Sequence, residues 1–180
     1  MGYHVRIYTS NAAHYGAPQH RTRLVFVASL LGPVDAPDFT AKRFLTVGEA
    51  FEHLDSFAAD SHPELALSDQ QLESIRRFEA ISRVRRTRDL LADRPARGVT
   101  GSNSLGGSGD SLRLLLVDGS RRLLSTAEVG ILQGFTSEQI RQMEPGCSRT
   151  FLLRALGDAV AVPHARAWAR AVRSPVSYTH

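Results

Sequence analysis

Gln19, Arg21 and Arg23 alternate with His20 and Thr22 in the run Tyr15-Gly16-Ala17-Pro18-Gln19-His20-Arg21-Thr22-Arg23. On an extended chain alternate side chains share a face, so an amide and two guanidinium groups stand in a row, each about 7 Å from the next. Such a row of donors suits phosphate oxygens and the edge of a base. The same pattern fits a polar strand end facing water, and spacing alone does not choose between the two. A second basic stretch, Arg76 to Arg97, holds eight arginines against Glu79, Asp89 and Asp93, a formal net of +5. It includes Arg85 and Arg86, and reads either as a phosphate-contacting surface or as a solvated helix face. The single cysteine, Cys147, lies in Glu144-Pro145-Gly146-Cys147-Ser148, where a turn is the expected role.

The elements that must position these groups follow from periodicity and capping. Tyr3 to Tyr8 alternates and predicts a strand. Arg23 to Ala28 predicts a second, apolar on both faces and therefore expected to be buried; the two are close enough to pair as a hairpin. Leu31 to Phe44 carries Gly32, Pro33 and Pro37 and predicts a loop. Thr46-Val47-Gly48-Glu49 is a capping box for a short helix to about Asp55, and Ser68-Asp69-Gln70-Gln71 opens a longer one with Leu72, Ile75, Phe78 and Ile81 on a stripe. Thr100 to Asp110 is a Gly/Ser-rich loop. Leu112 to Val117, the Asp118-Gly119 turn and Arg121 to Leu124 predict a hairpin. Ser125-Thr126-Ala127-Glu128 caps a helix through Gln133, and Thr136 to Gln139 starts a short one. A last helix is expected from about Asp158 to Val172, with Pro163 near its start and Val160, Trp168 and Val172 for packing.

Composition narrows the classes. A chain of 180 residues, 42% hydrophobic, can bury a core as one domain or one domain plus a small lobe. No apolar run reaches the roughly 18 residues of a membrane span, and no signal peptide is evident after Met1. One cysteine excludes an intrachain disulfide and a Cys-rich zinc site and fits a reducing, cytoplasmic setting. The net charge of +4 permits nucleic-acid binding without demanding it. Lys42 is the only lysine and the other 21 basic residues are arginine, which matches either codon bias or arginine's bidentate grip on phosphate and guanine.

The first run resembles motif eight of the DNA cytosine-5 methyltransferases, a Gln-x-Arg-x-Arg signature behind Tyr-Gly-x-Pro; His14 replaces an acidic residue common there. Arg122-Leu123-Leu124-Ser125-Thr126-Ala127-Glu128-Val129-Gly130-Ile131-Leu132-Gln133-Gly134-Phe135 is similar to motif nine, with Arg122, Leu124, Glu128, Leu132, Gln133, Gly134 and Phe135 matching. Ala127 and Ile131 stand for two arginines and Thr136 for a proline. Gly157-Asp158-Ala159-Val160 resembles motif ten, Gly-Asn-Ala-Val, with Asp158 in place of Asn. Pro95 to Thr100, followed by Gly106-Gly107, resembles the segment before motif nine. The three motifs stand in family order across nearly the whole chain.

The resemblance implies an α/β fold, α+β within this stretch: an edge hairpin and a C-terminal helix of a Rossmann-like methyltransferase domain, plus a target-recognition lobe. It implies a hairpin with motif eight at 1–30, the recognition region at 31–110, motif nine at 111–135, and motif ten with the returning helix at 136–180. It implies contacts to double-stranded DNA from Gln19, Arg21, Arg23, Arg85, Arg86 and Arg122. Arg23 would reach the flipped cytosine near O2, Arg21 would hold the backbone phosphate, and Gln19 would support the site. Glu128, Gln133, Gly134 and Phe135 would organise the base of the recognition region. Asp158, Ala159 and Val160 would form one wall of an S-adenosylmethionine pocket. The family's Pro-Cys-Gln nucleophile, its Glu-Asn-Val and its Phe-x-Gly-x-Gly cofactor loop do not occur in these residues. The expectation is therefore a C-terminal methyltransferase part, inactive without an N-terminal partner that completes the pocket. A truncated remnant and a stand-alone DNA-binding module are the alternatives.

Overall fold

The computed structural model describes residues 2–81, 88–106 and 109–173. β1 (His4–Asn11) and β3 (Thr22–Ser29) form the expected antiparallel hairpin, with Ile7 opposite Phe26 and Ser10 opposite Arg23. Between them a 3-10 turn, Ala12–Tyr15, is capped by the Asn11 side chain, which accepts from the Ala13 amide. β2 (Gln19–His20) then leaves the hairpin and pairs in parallel with β5 (Ala96–Arg97). Opposed residues of an antiparallel pair share a face. One face places Val27 against Val34 and Trp168, with Tyr8 and Val25 beside them. The other carries Val5, Ile7, Leu24 and Phe26, each about 60% exposed or more. β3 is thus buried on one face only, contrary to expectation, because nothing among the described residues covers its second face.

In the middle of the chain the capping box at Thr46 and Glu49 forms, but α1 (Val47–Ala50) is a single turn and stops well short of Asp55. The amides of Val47 and Gly48 donate instead to the carbonyls of Arg94 and Ala92, which fixes the turn against a neighbouring loop. α2 (Asp69–Ile81) is the longer helix, with Ser68 and Gln71 capping one another. Of its stripe Ile75 is buried, whereas Phe78 and Ile81 are exposed. β4 (Asp89–Leu90) adds in parallel to β6 (Arg113–Leu115), which pairs antiparallel with β7 (Arg121–Leu123) across the Asp118-Gly119 turn.

α3 (Thr126–Leu132) and α4 (Ser137–Met143) begin at complete capping boxes. The last helix, expected from about Asp158, begins at Val162 as α6 (Val162–Arg173), and an unexpected helix, α5 (Arg149–Asp158), precedes it. Ser148 caps α5 through the Phe151 amide, and Leu152, Leu153 and Leu156 bury its inner face. Asp158 therefore ends a helix and does not open one. The main core joins Val47, Leu90, Leu114 and Leu124 to Leu132 of α3 and Leu153 of α5. α6 packs elsewhere, against the hairpin through Trp168. Among the described residues no helix is long and apolar enough to cross a membrane.

Candidate active site

Gln19 sits at the centre of the three motifs. It is fully buried, its Nε2 donates to the Leu132 carbonyl at 2.7 Å and to Gln133 Oε1 at 2.9 Å, and its Oε1 accepts from the Val99 amide. Gln133, equally buried, donates through Nε2 to the Leu156 carbonyl at 2.6 Å, and its own carbonyl accepts from the Val162 amide. The two amides stitch β2, the end of α3 and the end of α5 together. An unpartnered buried amide costs about 1–3 kcal/mol, so this arrangement holds only while all its members are present. Gln19 has no surface to offer DNA in this chain; its place in the site is support.

Arg21 lies on the same face and is only 5% exposed. Its NH1 donates to the Gly157 carbonyl at 3.0 Å, at the C-terminal end of α5, where a cation is favoured by the helix dipole. Burial, together with the charge of Arg23, lowers its pKa to about 10, against the opposing pull of Asp158, so it stays charged at neutral pH. Its Nε is buried without a partner. Arg21 thus faces the motif-ten segment. The Asp158 carboxylate is exposed and accepts from the Gly101 amide, with Ala159 half-buried and Val160 56% exposed beside it.

Arg23 is the exposed member of the row, its NH1 resting on the carbonyl of Thr22. Across the hairpin from it, Ser10 is buried under α6 in a cluster that sequence reasoning missed. His164 Nε2 lies 2.8 Å from Ser10 Oγ, and Trp168 Nε1 donates to both, at 3.0 Å and 3.2 Å. The Trp168 donation makes Nε2 an acceptor and puts the proton of neutral His164 on Nδ1. Burial, then the nearby Arg23, pushes the His164 pKa below its ordinary value.

Arg122 is corrected from DNA contact to buried anchor. It is 1% exposed and pairs with Glu128 through both terminal nitrogens, at 2.9 Å and 2.6 Å, while NH2 also reaches the Ser56 carbonyl. Glu128, fully buried, accepts the Ser125 amide as well. Burial alone would raise its pKa, yet the Arg122, Ser56 and Ser125 hydrogen bonds hold it below the ordinary value. Gly134 turns at φ 84°, the left-handed region that favours glycine, and Phe135 is half-buried against the core.

A second ion cluster was not anticipated: fully buried Arg113 pairs with Asp89 at 2.8 Å and with Glu79 at 3.2 Å, and Arg121 pairs with Asp89 at 3.0 Å. In the basic stretch Arg76 and Arg77 pair with Glu73, Arg88 with Asp110, and Arg94 with Asp93. Arg85 and Arg86 lie outside the described residues. Among the described residues no cluster of His, Cys, Asp and Glu could hold a metal ion.

This frame has known counterparts. The family model of the C-5 cytosine-specific DNA methylases matches residues 1–174, and the chain belongs to that family. The type II methyltransferase M.AplI of Arthrospira platensis is 34% identical over 174 residues, which cover 96% of this chain and 48% of that protein. Two solved structures share the fold: the Entamoeba histolytica methyltransferase EhMeth, TM-score 0.72 at 12% identity, and the S. pombe Dnmt2 methyltransferase, TM-score 0.64 at 12% identity. Each alignment covers 98% of this chain but only 55% and 59% of those proteins. The chain thus spans about half the length of the relatives it matches, and its mixed α/β elements belong to a Rossmann-like methyltransferase fold.

Proposed function

We propose that this chain supplies the DNA-recognition and base-side part of a DNA cytosine-5 methyltransferase, and that methyl transfer occurs only when it is joined to an N-terminal half carrying the thiolate and the main cofactor loop. The observation that carries this reading is the open apolar face of the hairpin. Val5, Ile7, Leu24 and Phe26 form a continuous uncovered sheet surface on the face opposite the one that carries Arg23 and packs under α6. An apolar sheet face of this size suits burial under another layer, and the missing half is the layer the family fold would supply.

In the assembled enzyme Arg23 meets the flipped base from the O2 side. A fixed cation there stabilises negative charge that develops on the ring when a nucleophile attacks C6. The family generally uses S-adenosylmethionine, which supplies the electrophilic methyl group. The exposed Val160, the half-buried Ala159 and the exposed Asp158 carboxylate fit one wall for a cofactor with an adenine ring and a cationic sulfonium. The recognition lobe offers DNA a cleft of about 370 Å³ lined by Ser61, His62, Arg76 and Arg121.

The test is reconstitution. Purified chain, mixed with the N-terminal half of a family member that carries the Pro-Cys-Gln nucleophile, should transfer labelled methyl groups to duplex DNA, and neither half alone should do so. Transfer by this chain alone, or none from the mixture while the two halves form a stable complex, sinks the proposal.

A further inference from the structure

Arg21 is turned inward, onto the end of α5. It is only 5% exposed, and its NH1 ends on the Gly157 carbonyl, which no helical amide takes up as α5 terminates and which Gln133 Nε2 also approaches, at 3.3 Å. Gln133 caps the preceding carbonyl of Leu156 at 2.6 Å. The end of α5 is therefore capped by two side chains remote in sequence, one from motif nine and one from motif eight. Beyond that cap the chain runs directly into Asp158, Ala159 and Val160. On the other side of Arg21, two residues along the same strand face, stands Arg23.

We infer that Arg21 is a positioning residue that fixes the cofactor wall: its guanidinium ties the strand bearing Arg23 to the Gly157 carbonyl, so that the base side and the cofactor side move as one unit. This rests on the proposed function for its meaning, but the tether itself belongs to the chain alone. Three features make the tether specific. Gly157 can approach so closely only because it lacks a side chain: a Cβ there would meet the Thr100 and Gly101 backbone at 2.5 Å. The Gly101 amide in turn holds the Asp158 carboxylate at 3.2 Å. Of its donors NH1 is fixed on the Gly157 carbonyl and Nε is buried without a partner, so that carbonyl, the end of the helix and the attraction of Asp158 are what hold the buried group. A displaced Arg21 would leave the last turn of α5 to Gln133 alone and loosen the wall beyond it.

Two measurements test this. The first uses the chain alone and follows amide hydrogen exchange at Ala159, which donates to the Ala155 carbonyl, and at Val162, which donates to Gln133. Arg21→Met should speed exchange at both by about tenfold, the scale set by losing one hydrogen bond from a charged donor. Arg21→Lys should restore part of the protection, and Arg23→Met should leave it unchanged. Circular dichroism melts establish that each variant is folded, and if Arg21→Met is not, Arg21→Lys against Arg23→Met decides. Equal exchange in all variants overturns the tether.

The second uses the complex with the N-terminal half and measures S-adenosylhomocysteine binding and DNA binding separately. Arg21→Met should weaken the cofactor product about tenfold and leave DNA affinity within twofold, since the guanidinium is turned inward onto the Gly157 carbonyl. Arg23→Met should do the reverse. Loss of DNA affinity alone in Arg21→Met would return Arg21 to the phosphate and overturn the inference. If the wild-type complex binds no cofactor, the proposed function fails, and the exchange experiment still decides the tether by itself.

Discussion

Replacing Gly157 by alanine would drive a methyl group into the backbone of Thr100 and Gly101 at 2.5 Å, and backbone on both sides leaves no flexible side chain to yield. Overpacking of this kind typically costs about 1–3 kcal/mol, and the lower urea midpoint at unchanged slope would report it. Arg122 belongs to a different class of residue, because its value depends on a charge it neutralises. Arg122→Met leaves Glu128 buried without its cation, a loss of about 3–5 kcal/mol, and adding Glu128→Gln should recover part of it. The sign with pH follows from the depressed Glu128 value. The pair contributes fully above the ordinary carboxylate value of 4.5 and loses that contribution as pH falls through the lower folded value. Acid unfolding followed by circular dichroism should therefore begin at higher pH in Arg122→Met than in wild type. Residue types at these positions were legible in the sequence, but their direction was not. Gln19 and Arg122 were expected toward DNA and turned inward, because the carbonyls and carboxylate that hold them lie 114 and 6 residues away, and only the packed fold decides which side chains meet.

Helices announced themselves where both halves of a local signal lay within four residues. The capping boxes at Thr46, Ser68, Ser125 and Thr136 all form, since each satisfies its orphan amides without help from elsewhere. The pairing of β1 with β3 was legible for the same reason, being one short connection. α5 was not foreseen, although Ser148 as its cap and Leu152, Leu153 and Leu156 at helical spacing were there to be read. The two-residue strands β2, β4 and β5 carry no periodicity at all, and their parallel partners are remote. The element whose docking can be tested most directly is α6. It is held to β1 by a cluster in which His164 accepts from Trp168, the only tryptophan of the chain, and shares Ser10 with it. Protonation would remove that acceptor and set a second cation near Arg23. The folded pKa of His164 lies below its ordinary 6.5, so between the two values the unfolded chain takes up a proton that the folded chain refuses. The stability contributed by neutral His164 is present in full above that ordinary value and is lost as pH falls through the folded one. Trp168 emission should change with a midpoint below 6.5 as the ring loses its partner, and His164→Gln should abolish the transition. A transition of the same midpoint in the variant would assign it to another group.

Taken whole, the molecule has two unequal faces: a core that closes on itself around α3 and α5, and a hairpin that is finished on one side only. This chain aligns with about half of M.AplI and with 55% of EhMeth, and under the proposed function the remaining half is what would cover the open side. The sequence pattern of β3, apolar on both faces, predicts a buried strand, and the structure covers only one of those faces. Hydrophobic burial is worth about 25 cal/mol per Å², so covering side chains as large as Leu24, Phe26, Val5 and Ile7 would contribute several kcal/mol to any complex that uses them. The same surface is a liability in isolation, since an uncovered apolar sheet attracts other copies. Wild-type chain alone should therefore self-associate in a concentration-dependent way in sedimentation experiments. Leu24→Lys with Phe26→Glu should yield a monomer with an unchanged thermal melt, because both side chains are already more than 60% exposed and leave the core untouched. Under the proposed function that double variant should also fail to capture the N-terminal half and to restore methyl transfer, while Phe78→Lys, an exposed change on α2 away from the hairpin, should leave capture intact. Capture at full strength by the double variant would move the partner's docking surface off the hairpin, and a monomeric wild-type chain would show that the open face is tolerated in water.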